Sequence, residues 1–133
     1  MDANYTFAID RQLGLVRITM SGLFGLDDVA GFVEQRREAH NALGCAPNAH
    51  LTLNDVRGMK IQQQEIVRAF QDMLADRAYR SRRLAFVAGR TLTRSQLMRA
   101  LASRHARCFE DMAEAEAWLL AADSDAQPAR HAA

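Results

Sequence analysis

Apolar and polar positions alternate at the start of the chain. Tyr5-Thr6-Phe7-Ala8-Ile9 and Val16-Arg17-Ile18-Thr19-Met20 both follow a period of two, the signature of a half-buried strand. Between them, Asp10-Arg11-Gln12-Leu13-Gly14 has hairpin length and a glycine, so the two strands are predicted to pair antiparallel. Arg17 and Thr19 are expected to point away from the core. The period then changes to that of a helix. Asp27 and Asp28 open it, their charge suiting its N-terminus. Val29, Phe32, Val33, Arg36, His40 and Leu43 form its apolar stripe, and Gly44 stops it.

After a turn at Cys45-Ala46-Pro47-Asn48, residues 49–53 read as a third strand, parallel to its neighbour because a helix separates the two. Asn54-Asp55-Val56-Arg57-Gly58-Met59 reads as the loop leaving it. A second helix carries Ile66, Val67, Phe70, Met73 and Leu74 on one face. Leu84-Ala85-Phe86-Val87-Ala88 is an unbroken apolar run, which predicts a central strand buried on both faces. A third helix is predicted from Thr93, burying Leu97, Met98 and Leu101, with Thr93 and Gln96 spaced as a capping box. Arg107-Cys108-Phe109 is a short last strand. Asp111 with Glu114 begins a final helix that packs Met112, Ala115, Trp118 and Leu119 inward. Residues 122–133 lack periodicity and read as a disordered tail, leaving one domain over 1–121. The order is β-β-α-β-α-β-α-β-α, an α/β single domain with a mixed sheet.

Three stretches carry a resemblance. They are Val16-Arg17-Ile18-Thr19-Met20-Ser21-Gly22, Arg83-Leu84-Ala85-Phe86-Val87-Ala88-Gly89, and Phe109-Glu110-Asp111-Met112-Ala113-Glu114-Ala115-Glu116-Ala117-Trp118-Leu119. With the element order, they resemble the STAS-like superfamily, the anti-sigma-factor-antagonist fold and its bacterial single-domain relatives. The resemblance implies that fold and a regulatory, non-enzymatic role. Signalling members switch by phosphorylation of a Ser or Thr at the start of the second helix. The corresponding Gly58-Met59-Lys60-Ile61-Gln62-Gln63-Gln64 has neither residue, so the switch is not carried over.

Composition narrows the function classes. A net charge of +1 argues against bulk nucleic-acid binding, and the aromatic residues do not interleave regularly with the basic segment 77–107 as a single-strand platform needs, Tyr79 and Phe86 alone falling among its arginines. No apolar run approaches the roughly 20 residues of a membrane span. Two cysteines make no disulfide framework, and a cytoplasmic setting is expected. Charge is segregated, however. Residues 77–107 hold nine arginines and no Asp or Glu, whereas the remainder holds eight basic and sixteen acidic residues. Either this segment faces an anion, or its arginines pair in space with acidic helices.

The best single site candidate is the turn Arg90-Thr91-Leu92-Thr93-Arg94, at the carboxyl end of a parallel strand, where open α/β sheets bind ligands. Backbone N–H groups at the helix start attract anions, and Arg94 stands where a helix prefers an acid. Asn54, Asp55 and Arg57 leave a neighbouring strand at the same edge. Arg90, Thr91, Thr93, Arg94, Asp55 and Arg57 are therefore the expected binding residues. The leading reading is a non-enzymatic module for an acidic protein partner or small anion. The alternative is a small-ligand or lipid-binding domain with a cavity between helices and sheet. No cofactor or catalytic motif is implied. Cys45, His50, His105 and Cys108 are zinc-compatible types, but their C-x4-H and H-x2-C spacings match no common structural zinc pattern, so no metal is assigned.

Overall fold

In the computed structural model, residues 2–46, 48–90, 92–100 and 106–121 are described. The strands are β1 (Asn4–Asp10), β2 (Leu15–Gly22), β3 (Leu51–Met59), β4 (Arg83–Val87) and β5 (Arg107–Phe109). The helices are α1 (Leu26–Leu43), α2 (Gln64–Ala75), α3 (Leu92–Ala100) and α4 (Met112–Leu120), with a 3-10 turn at Arg77–Tyr79. One five-stranded sheet runs in the order β1-β2-β3-β4-β5. β1 pairs antiparallel with β2, and every later pair is parallel. The tail reading for 122–133 lies outside the described residues.

Strands added one after another in the same direction, with crossovers of one hand, put their connecting helices on one face. That face is the larger core. Val16, Ile18, Met20, Leu84 and Phe86 pack there against Val29 and Phe32 of α1 and Ile66 of α2, with Leu97 of α3 at its margin. Tyr5, Phe7, Phe24, Phe32 and Phe70 form an aromatic cluster within it, with ring centroids 5.1 to 6.3 Å apart. The alternate residues Leu15, Leu51, Leu53, Ala85 and Val87 face the other way and are covered by Ala115 and Leu119 of α4. Period-2 alternation thus assigns each strand residue to one of two layers.

The third strand is longer than the sequence suggests. Residues 54–59 are not an exit loop but the second half of β3, paired with β2 as far as Ser21↔Gly58 and Gly22↔Met59. Gly58 breaks strand propensity, but it is needed for close approach: a Cβ there would lie 2.8 Å from the Ser21 Cβ. β3 is also the middle strand of the sheet. β4, the expected centre, stands next to it and is buried along its whole length. The buried residues His50, Thr52 and Asn54 disguise β3's burial, since their polarity masks it in the sequence.

Helix ends follow local chemistry. The Asp28 carboxylate accepts from the Gly25 N–H at 2.8 Å, and Gly44 closes α1 in the left-handed region with φ 73°. The Asp111 side chain caps α4 by accepting from the Ala113 N–H at 2.9 Å. α3 begins at Leu92, so Thr93 lies inside the helix and not at the N-cap position that the expected capping box requires. Gln96 instead makes two bonds to the Gln62 backbone, accepting from its N–H at 2.8 Å and donating to its carbonyl at 2.7 Å.

Candidate functional site

A cavity of about 80 Å³ lies between α2, α3 and the carboxyl half of β3. Its walls are apolar: Met20, Val56, Phe70, Met73, Phe86 and Leu97 contribute most of them. The polar side chains among its described lining residues are Asn54, Lys60, Gln62 and Gln96. Gln62 is fully engaged. Its Oε1 accepts from the Phe24 N–H at 2.9 Å, and its Nε2 donates to the carbonyls of Gly22 at 3.0 Å and Lys60 at 2.6 Å. Gln96 is held by the two bonds to Gln62 already described, so α3 is tied across the pocket to the segment entering α2. Asn54 differs. It is 7% exposed, sits opposite Ile18 and Phe86 in the sheet register, and its Oδ1 is buried with no hydrogen-bond partner among the described residues. Such an acceptor costs about 1–3 kcal/mol until something donates to it.

The residues expected to bind divide into two ion pairs on other surfaces. Asp55 is adjacent to Asn54 in the chain and therefore points to the opposite face of β3. There its carboxylate receives two bonds from Arg57, Nε at 2.9 Å and Nη2 at 2.8 Å. The Arg57 guanidinium holds the Asp55 carboxyl below the usual carboxylate range. Arg90 and Arg94 converge on Glu110, at 2.5 and 3.3 Å. These bonds, with that from Arg90 the stronger, hold the Glu110 carboxyl down as well. Thr91 lies outside the described residues, and the Thr93 side chain is not described. Glu110 thus stands where the sequence suggests an anionic ligand, beside the first turn of α3.

Other arginines of the basic segment also meet protein groups. Arg83, 5% exposed, donates to the carbonyls of Trp118 at 2.7 Å, Leu119 at 3.4 Å and Ala121 at 3.3 Å, and lies over the Trp118 ring. Arg107 stacks over Phe109 and Trp118. Arg83 thus closes the C-terminal end of α4, where carbonyls lack intrahelical partners and the dipole is negative.

The zinc-compatible residues do not assemble either. His105 lies outside the described residues, Cys45 is exposed, and burial pushes the half-buried Cys108 thiol up. His50 meets His40 instead, Nε2 to Nε2 at 2.7 Å, while His40 Nδ1 faces the Arg36 carbonyl at 2.6 Å. The Ser81 hydroxyl is 3.2 Å from His50 Nε2 and 2.6 Å from the Thr52 hydroxyl. Among the described residues, no three His, Cys, Asp or Glu side chains are placed to hold a metal ion.

No protein-family model and no curated protein sequence matches the chain. A solved structure does. It is an uncharacterised protein of the DUF3478 family from Shewanella loihica PV-4, described as having a SpoIIAA-like fold. It superposes with a TM-score of 0.70 at 14% identity, covering 90% of this chain and 96% of that one. This chain has the SpoIIAA-like, or STAS-like, fold. In this SpoIIAA-like domain, the stretch Gly58 to Gln64, where a phosphoswitch would sit, is the stretch that carries the Gln62 anchor over the pocket. Among the described residues, no helix is long and apolar enough to cross a membrane.

Asn54 is expected from the sequence at the same edge as Asp55 and Arg57 but not among the binding residues, and Gln62, Gln96 and Glu110 are not expected at the site at all. A signal for Asn54 exists: it shares the inward period-2 face with Thr52 and Val56, so a polar group there must be buried.

Proposed function

We propose that the protein is a non-catalytic binding module that takes a small, largely apolar ligand in the pocket between α2, α3 and β3. The observation that carries this reading is the pocket itself, an apolar cavity with an unpartnered buried acceptor in its wall. The groups lining it are carboxamides, one ammonium and hydrocarbon, a set suited to holding a ligand. Native mass spectrometry of protein purified from cells tests the reading, together with displacement of a solvatochromic dye. The expected result is a co-purifying ligand or saturable dye binding that Leu97→Trp, which fills the pocket from α3, abolishes without loss of fold. Dye binding unchanged in Leu97→Trp would refute it.

A second reading keeps an acidic protein or small anion at Arg90 and Arg94, near Thr91 and Thr93, with Asp55 and Arg57 at the same edge of the sheet. It requires Glu110 to give way, since its carboxylate occupies both guanidinium groups. Glu110→Gln should then strengthen phosphate binding, and Arg94→Ala should remove it. No binding in either variant would dismiss this reading.

A further inference from the structure

We infer that the pocket selects a neutral ligand whose head donates a hydrogen bond, such as an alcohol, and that this head enters first and meets Asn54. The inference rests on the pocket reading and concerns which ligand class it admits. Four polar side chains line the cavity. Gln62 and Gln96 are fixed by their hydrogen bonds to backbone. Lys60 is exposed, just beyond the end of β3, so its ammonium stands at the mouth. Asn54 Oδ1 remains, in mid-strand and without a donor among the described residues.

That acceptor is already sealed from water, and a purely apolar ligand would leave it unmatched. A carboxylate head would bring a second acceptor against it. A hydroxyl donates to it, and its own oxygen can then take a bond from the same carboxamide's N–H. The volume argues for the same order of entry. About 80 Å³ is roughly half the 150 Å³ cavity that accepts benzene, so the closed pocket holds a head and a few carbons while a tail reaches toward α2 and α3. A fatty acid would instead keep its charge at Lys60 and present hydrocarbon to Asn54, which satisfies nothing there.

Three probes of closely similar size separate these cases: 1-octanol, 1-methoxyheptane (the ether of the same heavy-atom count, lacking the donor) and octanoate. Each is titrated into the full chain at pH 7.5 and followed by amide chemical shifts. Donation to a buried acceptor predicts octanol binding on the order of tenfold tighter than the ether, with octanoate weaker than octanol. Asn54→Leu should bring octanol and ether to equal affinity. Equal affinities in the unmodified protein, a preference for octanoate, or a preference for octanol that persists in Asn54→Leu would each overturn the inference while the pocket reading stands. The octanol-to-ether ratio of the unmodified protein decides the matter even if the variant does not fold. Absence of binding by all three would remove the pocket reading and the inference together.

Discussion

Replacing Arg83 by methionine measures how far the basic segment serves the fold. The substitution keeps an unbranched apolar stem of similar reach and removes the guanidinium. In the native protein that group is buried, donates to three carbonyls at the end of α4 and lies 5.7 Å from the Trp118 ring centroid. Only the 2.7 Å bond to the Trp118 carbonyl is short; the other two, at 3.3 and 3.4 Å, are weak. One good charged hydrogen bond contributes about 1.5–3 kcal/mol, and a partly desolvated cation over an aromatic face adds about 0.5–1 kcal/mol. Methionine recovers part of this by removing the cost of burying a charge. The expected loss is therefore about 1–3 kcal/mol. Urea denaturation checks it through the midpoint at unchanged m-value, and the single Trp118 reports α4 directly by fluorescence. Arg90→Met is the comparison. Its partner Glu110 is solvent-accessible, and solvent screens exposed pairs so that they add little to stability. A loss below about 0.5 kcal/mol for Arg83→Met, or an equal loss for both, would refute the assignment of Arg83 to the helix end.

Gly58→Val should destabilise by about 1–3 kcal/mol, the usual range for an overpacked site, because its Cβ would collide with Ser21. Ser21→Gly in the same chain should recover most of that loss in thermal or urea melts; no recovery would place the strain elsewhere. Asp111→Ala should cost about 1 kcal/mol by removing the α4 cap, measured in the same melts. The His40–His50 contact predicts a pH dependence. Burial, reinforced by the charge of Arg36 and opposed by the bond to the Arg36 carbonyl, holds His40 below the ordinary histidine value. Because the folded pKa lies below the unfolded one, the contribution is complete above about pH 6.5 and is lost as pH falls. The slope of stability between pH 7 and 5 should therefore be smaller in His40→Gln; equal slopes would contradict this account.

The layer structure was legible because it rests on period. Alternation in residues 5–9 and 16–20 marks strands whose residues Tyr5, Phe7, Val16, Ile18 and Met20 join one core while Thr6, Ala8, Arg17 and Thr19 stay outside it, and the helical stripe led by Val29 and Phe32 is buried by α1 although its Val33 is exposed. Boundaries failed where side-chain chemistry competes with period. Asn54, Asp55 and Gly58 all disfavour a strand locally, yet β2 pairs with that segment to its end and overrides them. Thr93 and Gln96 have the spacing of a cap, but α3 starts one residue before Thr93 and Gln96 bonds to the Gln62 peptide instead. The charge count from 77 to 107 is correct as arithmetic. It says nothing of partners because Glu110 lies just outside the window and the carbonyls that receive Arg83 carry no formal charge.

The carboxyl edge of the sheet therefore has two chemically different sides, separated by one residue of β3. Asp55 turns toward the α4 side, where opposite charges are already matched, and Asn54 turns toward α2 and α3, where hydrocarbon surrounds an acceptor that no described residue satisfies. Ligand recognition needs a group whose bonding is incomplete in the free protein, because a satisfied group must first break a bond to engage a new one. Arg57 and Arg90 are engaged in ion pairs at 2.8 and 2.5 Å. By that criterion the more informative position is not the arginine-rich turn but the asparagine one strand away, and the distinction follows from the direction in which a single strand alternates.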